Sequence, residues 1–258
     1  MDKKAILLVS IGTSKVDALE RTTLQMLEEV IEKFKGYQCY LAFSSEVILD
    51  KINKISDTKY LSVDAAFEKM QLDGIEDVYV QPTFLLGGLE CDKLQKQIEM
   101  HRMNFRCIKM SSSLLVQKQD YIHTLQAILD STVLEEDEAL LLIGHGTTHS
   151  ANTTYQNLEY TAYTQGYRHV FVGTIDSEKS RRMLLRKLQV SGYRKICILP
   201  FLFVAGYHAW KDISMEPGSW KHALLEEGYE VRALMKGLGE YQDIRKIFLG
   251  HLENLLDS

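Results

Sequence analysis

The chain has few residues that cross-link a fold or interrupt its strands, because its 258 residues include only three prolines and four cysteines. The cysteines are scattered singly, without a C-x-x-C pair, so the sequence indicates neither a zinc knuckle nor a disulfide framework. We expect buried, reduced thiols in a cytoplasmic protein. No apolar run approaches the roughly 20 residues that cross a bilayer, so no membrane partner is expected. A net charge of −5 likewise provides no basic field for nucleic acid.

Sequence motifs for nucleotide and serine chemistry are also missing. There is no phosphate-binding G-x-x-x-x-G-K-[ST] loop and no G-x-S-x-G elbow, and Gly144-His145-Gly146 lacks the third glycine of a dinucleotide fingerprint. We therefore expect neither ATP nor a nucleotide cofactor. Lys3 and Lys4 precede an apolar stretch that is too short for a signal peptide and has no cleavage site after it, which predicts a first strand instead.

What the chain does contain is an internal repeat. Residues 5–14, AILLVSIGTS, align without a gap on residues 139–148, ALLLIGHGTT, at an offset of 134. Residues 73–82 match residues 191–200 at an offset of 118, and both segments end in proline, which stops a central strand. We infer two copies of one structural unit.

The repeat brings different side chains to corresponding positions. Ile11 in the first copy corresponds to His145 in the second, and Glu90 corresponds to His208. If the two copies face each other, a cleft lies between them. The positions where the copies diverge into glutamate and histidine are then the candidates for chemistry.

Short apolar runs alternate with amphipathic helical patterns along the whole chain, which is typical of parallel sheets covered by helices on both faces. The sequence predicts an α/β fold of two similar doubly wound domains, each with a four-stranded parallel sheet flanked by helices. The predicted domains are residues 1–133 and 134–258. The change of offset gives the first half 16 extra residues, most of them in a predicted additional helix within residues 47–60.

Three side chains of the second half are candidate metal ligands. His145 and His208 follow strands directly or by a short loop, at the edge where open α/β sheets bind ligands. Asp176 follows a third strand. Two imidazoles and a carboxylate make an open site for a divalent first-row metal. Gly144 and Gly146 leave room for a large group beside His145, although a tight turn alone would also explain them.

Three segments together resemble a known family: the strand-Gly-His-Gly-Thr block, the Gly-Thr-Ile-Asp block ending at Asp176, and LPFLFVAGYHAWKD around His208. They are similar to the anaerobic sirohydrochlorin cobaltochelatases of cobalamin synthesis. Those enzymes belong to the ATP-independent class II chelatases, which include protoporphyrin ferrochelatase. The resemblance covers essentially the whole chain, including PTFLLGGLE up to Glu90.

The resemblance implies that the substrates are Co(II) and a tetrapyrrole, either sirohydrochlorin or its reduced precursor precorrin-2. It assigns His145, Asp176 and His208 to metal binding, and His145 and Glu90 to catalysis. The family usually has glutamate where this chain has Asp176. Further residues expected to contact the substrate, as glycines, hydroxyls or cations at the cleft, are Ser10, Thr13, Gly87, Gly88, Lys93, Gly144, Gly146, Thr147, Gly206 and Lys211.

Alternatives remain open at this level. The same fold could insert nickel or iron, since the Irving–Williams order does not single out cobalt. A second alternative is a tetrapyrrole- or metal-binding protein without turnover. A third is phosphoryl transfer through His145, for which Arg181 and Arg182 would have to reach the imidazole. A homo-oligomer is compatible with the sequence, which leaves the oligomeric state open.

Overall fold

The first half of the chain contains a five-stranded parallel sheet. The computed structural model describes residues 3–176 and 178–258, and the side chains at 179, 208 and 215 lie outside that description. The strands are β1 (Lys4–Ser10), β2 (Gln38–Phe43), β3 (Leu61–Ser62), β4 (Asp77–Pro82) and β5 (Cys107–Met110), in the order β3-β2-β1-β4-β5. The flanking helices are α1 (Val16–Leu19), α2 (Gln25–Lys33), α3 (Glu46–Ile55), α4 (Val63–Leu72), α5 (Leu89–His101) and α6 (Lys118–Asp130). A π-helical turn, Glu20–Leu24, joins α1 to α2.

The second half contains a four-stranded parallel sheet. Its strands are β6 (Glu138–Gly144), β7 (Val170–Thr174), β8 (Lys195–Pro200) and β9 (Glu230–Ala233), in the order β7-β6-β8-β9. Its helices are α7 (Thr153–Thr164), α8 (Glu178–Ser191), α9 (Tyr207–Trp210), α10 (Trp220–Glu226) and α11 (Gln242–Leu256). The central strands β1 and β6 are apolar because helices cover both faces of each sheet, and residues 5–9 and 139–143 are 0% exposed.

The two parallel sheets confirm the predicted α/β class, with one difference in strand number. The two-residue strand β3 adds a fifth strand to the four predicted for the first half, and it is too short to produce a sequence pattern. The predicted additional helix is α3. Between β2 and β4 the chain forms both α3 and α4, whereas between β7 and β8 it forms α8 alone.

The halves share a hydrophobic core, because the last helix, α11, returns to pack against α6 and β4. The buried Arg245 of α11 donates to Oε1 of Glu29 at 2.9 and 2.7 Å and to the carbonyl oxygen of Gly239 at 2.8 Å. Helix α11 thus belongs to the second half in sequence and packs against the first half in space. The boundary between two domains at residue 133 stays a prediction. No helix within the described ranges is long and apolar enough to cross a membrane.

The four cysteines are free thiols and none of them is fully exposed. Cys39, Cys107 and Cys197 lie in strands and Cys91 lies in α5. Burial raises the pKa of Cys39 and Cys91 to about 11 and the pKa of Cys197 to about 12. Thiols in this state are poor nucleophiles and poor metal ligands at neutral pH, in agreement with a structural role.

Candidate active site

The loop after β6 has two positions that only glycine fits. A Cβ atom on Gly144 would lie 2.1 Å from Cε1 of Tyr155, and a Cβ atom on Gly146 would lie 1.9 Å from Oδ1 of Asp176. Gly146 also has a φ of +83°, which side chains rarely adopt. The space beside these glycines is therefore filled by a ring and a carboxylate of the protein itself. This corrects the expectation that it is left free for a ligand.

His145 is exposed between these glycines and has a defined tautomer. Its Nδ1 lies 3.3 Å from the carbonyl oxygen of Gly146. A carbonyl oxygen only accepts hydrogen bonds, so Nδ1 carries the proton and the lone pair of the neutral ring is on Nε2. That nitrogen can bind a metal or accept a proton. Backbone carbonyls orient metal-binding imidazoles in this way in many proteins.

Asp176 lies beside His145 because β7 pairs with β6. The N–H of Ile175 donates to the carbonyl oxygen of Gly144 at 3.0 Å, which continues the pairing of the two strands up to the residue before Asp176. The Asp176 carboxylate then lies against the Cα atom of Gly146. The structure thus places the Asp176 carboxylate beside the residue that follows His145. An imidazole and a carboxylate are ligands suited to divalent first-row metals.

His208, the third predicted ligand, has a side chain outside the described residues. Its backbone lies in α9, at an edge that contacts the first half of the chain. A Cβ atom on Gly206 would lie 3.0 Å from Oγ1 of Thr13, and Nζ of Lys15 lies 4.6 Å from the centroid of the Trp210 ring. Among the described side chains, no group of three His, Cys, Asp or Glu residues is placed to hold a metal. The three-ligand site stays a prediction.

Glu90 lies in the first turn of α5 and is held by a neighbouring strand end. The Ser44 hydroxyl donates to Oε2 of Glu90 at 3.0 Å, and Nζ of Lys93 donates to the carbonyl oxygen of Ser44 at 2.8 Å. The three residues form one hydrogen-bonded chain where β2 and β4 end. Lys93 thus has a backbone partner within its own half.

The first copy of the turn, after β1, is bonded internally. The Ser10 and Thr23 hydroxyls lie 3.3 Å apart, and the Gly12 N–H donates to Oγ of Ser10 at 3.3 Å. Gly12 has a φ of +91°, and a Cβ atom there would lie 3.0 Å from the Phe43 ring. Ser10 and Thr13, both predicted to contact substrate, are buried.

Among the contacts between the halves, two at the carboxyl ends of the sheets are related by the sequence repeat. Lys15 lies over the Trp210 ring, and Nε2 of His149 lies 3.4 Å from Oδ2 of Asp92. Lys15 corresponds to His149 at the offset of 134, and Asp92 corresponds to Trp210 at the offset of 118. The loops at the carboxyl ends of the two sheets therefore face each other with approximate twofold symmetry.

The remaining predicted substrate contacts lie on these same loops. Gly87 is exposed with open space around it, and a Cβ atom on Gly88 would lie 3.9 Å from the Cβ of Ala151 in the other half. Nζ of Lys211 lies 3.4 Å from a carboxylate oxygen of Glu216. A substrate carboxylate would have to compete with that ion pair.

Thr147, expected to contact substrate, lies in a loop that precedes the next helix by several residues. The Thr147 N–H donates to Oδ1 of Asn152 at 3.1 Å, and its hydroxyl accepts from the N–H of His149 at 3.1 Å. A 3₁₀ turn over Ser150–Asn152 comes next, and the helix begins at Thr153. The Thr147 amide is thus occupied by a side chain rather than presented to an anion.

Sequence reasoning missed two groups of residues at this edge. The first group is the bridging residues, which the two offsets already relate: Lys15 aligns with His149, and Asp92 aligns with Trp210. Tyr155 has no such signal. It is one of 13 tyrosines, and its contact with Gly144 depends on how α7 packs against β6.

Two surface grooves lie elsewhere on the molecule. One, of about 450 Å³, runs between α6 and α11, and the other, of about 350 Å³, lies beside α7 and β7. Neither groove is lined by the predicted metal ligands His145 and Asp176. The candidate site is therefore defined by its side chains and its bridging contacts rather than by either groove.

Comparison with known proteins identifies the family. A sequence profile of the family described as cobalt chelatase (CbiK) matches residues 4–257. The chain belongs to this family. It is therefore a metal chelatase, as the sequence resemblance implied.

Two curated relatives match along nearly their whole length. A protein of Salmonella typhimurium named sirohydrochlorin cobaltochelatase is 28% identical over 257 residues, which cover 99% of this chain and 97% of the relative. A protein of Nitratidesulfovibrio vulgaris named sirohydrochlorin cobaltochelatase CbiKC is 30% identical over 258 residues, with 98% and 90% covered.

Solved chelatase structures share the fold. SirB from Bacillus subtilis with Fe3+ superposes with a TM-score of 0.65 at 14% identity, covering 98% of this chain and 95% of that one. A SirB structure from Bacillus subtilis subspecies spizizenii in complex with cobalt gives 0.61 at 11% identity, with 100% and 96% covered. At these identities the likeness supports the two-sheet architecture and nothing finer.

Proposed function

We propose that the protein inserts Co(II) into sirohydrochlorin without ATP, with release of the two pyrrole protons, in anaerobic cobalamin synthesis. The names of the two curated relatives support the substrate pair, since both relatives align with nearly the whole chain. Cobalt is a substrate here rather than a resident cofactor. The reaction needs a group that holds the metal, a group that takes protons and a surface that holds the macrocycle.

The observation that carries this proposal is the contact between the loop of His145 and Asp176. The imidazole presents its Nε2 lone pair at an exposed position, and the carboxylate lies against the neighbouring Gly146. An imidazole near neutral pKa can hold Co(II) and then accept a proton once the metal has left. We assign both roles to His145. Asp176 and His208 hold the metal with it.

Glu90 acts from the opposite half. Its carboxylate is fixed by the Ser44 hydroxyl at 3.0 Å and sits two residues before Asp92, which contacts His149 in the loop of His145. Groups on both sides of one macrocycle can take its two inner protons separately. Holding metal and ring together also removes the entropy cost of their encounter.

Phosphoryl transfer, an alternative from the sequence, would need arginines beside His145. Arg181 instead donates to the carbonyl oxygen of Gly218 at 2.7 Å and lies over the Trp220 ring. This commitment engages one of the two arginines that phosphoryl transfer would need, which favours the role of the imidazole as a metal ligand and base.

The test is an insertion assay under anaerobic conditions. Sirohydrochlorin and Co(II) are mixed with and without the protein, with and without ATP, and the absorbance spectrum is followed. We expect faster insertion with protein, equal rates with and without ATP, and two protons released per cobalt in a weakly buffered indicator assay. Spectra that change at the protein-free rate with cobalt, nickel and iron alike would refute the proposal. Faster insertion of nickel or iron than of cobalt would refute the choice of metal alone.

A further inference from the structure

Tyr155 of α7 is buried against the turn that carries His145, although it contributes no predicted ligand. Only 7% of the residue is exposed. Its ring fills the space where a side chain at Gly144 would lie, and it packs edge-on against Phe201 at a centroid distance of 6.4 Å. Core packing explains the ring. It does not explain the hydroxyl, which costs free energy to bury unless it is hydrogen-bonded.

The hydroxyl lies against the backbone of the same turn. The Gly146 N–H donates to it at 3.4 Å. Burial raises the pKa of Tyr155, the charge of Asp176 adds to that rise, and hydrogen bonds with the backbone of Gly146 and His145 oppose it. The phenol oxygen accepts the hydrogen bond of the Gly146 amide, and the Asp176 carboxylate lies against the same glycine.

We propose that Tyr155 is a positioning residue for Co(II): its hydroxyl fixes the 144–146 turn so that His145 and Asp176 converge on one metal ion. This inference rests on the proposed function, because that function identifies Co(II) as the metal that His145 and Asp176 bind. It also accounts for glycine at 144, because any side chain there would displace the ring. Groups that orient metal ligands in this way typically contribute about 10- to 100-fold to metal affinity or activity.

The test is a Co(II) titration of the full-length protein without tetrapyrrole, followed by the visible absorbance of bound cobalt. Tyr155→Phe keeps the ring and removes the hydroxyl, and we expect the Kd for Co(II) to rise about tenfold while cooperative thermal unfolding persists. Tyr160→Phe is the matched control, since it removes an exposed hydroxyl from the same helix and should leave the Kd unchanged. An unchanged Kd in Tyr155→Phe would overturn the proposal.

A double-mutant cycle separates positioning from general stability. If Tyr155 acts through the turn, adding Tyr155→Phe to His145→Ala weakens Co(II) binding no further, whereas a separate structural effect would add to the loss.

Amide hydrogen exchange provides a second measurement, which uses the wild-type protein and so does not depend on whether a variant folds. The Gly146 amide should be protected, and exchange at the rate of a free peptide would contradict the geometry. If the wild type binds Co(II) without inserting it, the proposed function is refuted. The effect of Tyr155→Phe on the Kd for Co(II) can still be measured in that case.

Discussion

The two copies of the strand-end turn have the same backbone and different surroundings. Gly12 and Gly146 have φ values of +91° and +83°, so the glycine is required in both copies by the conformation itself. In the first copy the glycine faces the Phe43 ring, and in the second it faces the Asp176 carboxylate. If His145 and Asp176 bind the metal as we propose, one duplicated turn serves packing in one half and metal chemistry in the other, through the residue that fills the adjacent space.

The strongest test of this comparison is a pair of substitutions at the tips of the two turns. His145→Ala should lower kcat/KM for cobalt insertion by at least about 100-fold, because it removes the proposed metal ligand and base. Ile11→Ala at the corresponding position should retain insertion. Both side chains are exposed, so thermal unfolding should remain cooperative in both variants. Loss of the thermal transition in His145→Ala would return the residue to a structural role.

The glycines themselves provide a second test with a smaller effect. Gly12→Ala and Gly146→Ala should each destabilise the fold by about 1 to 3 kcal/mol, since alanine is strained at positive φ. Urea denaturation measures that cost. Only Gly146→Ala should also weaken Co(II) binding, because its Cβ would displace Asp176. An equal loss of Co(II) affinity in both variants would show that the second turn has no special role in metal binding.

The two acids that follow corresponding strands provide a third test. Asp176→Ala should raise the Kd for Co(II) by about tenfold. Glu46→Ala removes the carboxylate that aligns with Asp176 at an offset of 130, and this acid is exposed in the first turn of α3. We expect no change in Co(II) binding there. Titration of both variants with Co(II) tests the assignment of Asp176 as a metal ligand. Weaker Co(II) binding in Glu46→Ala alone would contradict that assignment.

The bridging contacts should have the smallest effect. His149→Ala and Lys15→Ala each remove one of two matched contacts between the halves, and contacts of this kind contribute little in water. We expect KM for sirohydrochlorin to change by about two- to fivefold with kcat retained. Steady-state kinetics at saturating Co(II) provides the measurement. A large loss of kcat would mean that the bridges take part in the chemical step.

Much of the fold could be predicted from the sequence because parallel strands buried on both faces are continuous apolar runs. The strand beginning at Ala5 and its copy beginning at Ala139 show this directly, and their alignment predicted the duplication. Strand β3 could not be predicted, since two residues carry no periodicity. The return of α11 to the first half depends on long-range packing and on the buried pair of Arg245 with Glu29.

The candidate site was predictable where residue type carries chemistry. His145 and Asp176 follow strands that pair in the sheet, and the structure places the Asp176 carboxylate against Gly146, the residue after His145. The packing partners of the glycines were not predictable, because Tyr155 reaches Gly144 from a helix whose rotation only the folded core defines. The hydrogen bond from the Thr147 amide to the Asn152 side chain, which occupies an expected substrate contact, was not predictable either.

The most direct test of the difference between the two turns is anomalous diffraction at the cobalt edge from crystals soaked in Co(II). We expect a peak within about 2.5 Å of Nε2 of His145 and of a carboxylate oxygen of Asp176. We expect no peak beside Ile11. A cobalt ion bound in the groove between α6 and α11, with none at His145, would show that His145 and Asp176 do not form the metal site.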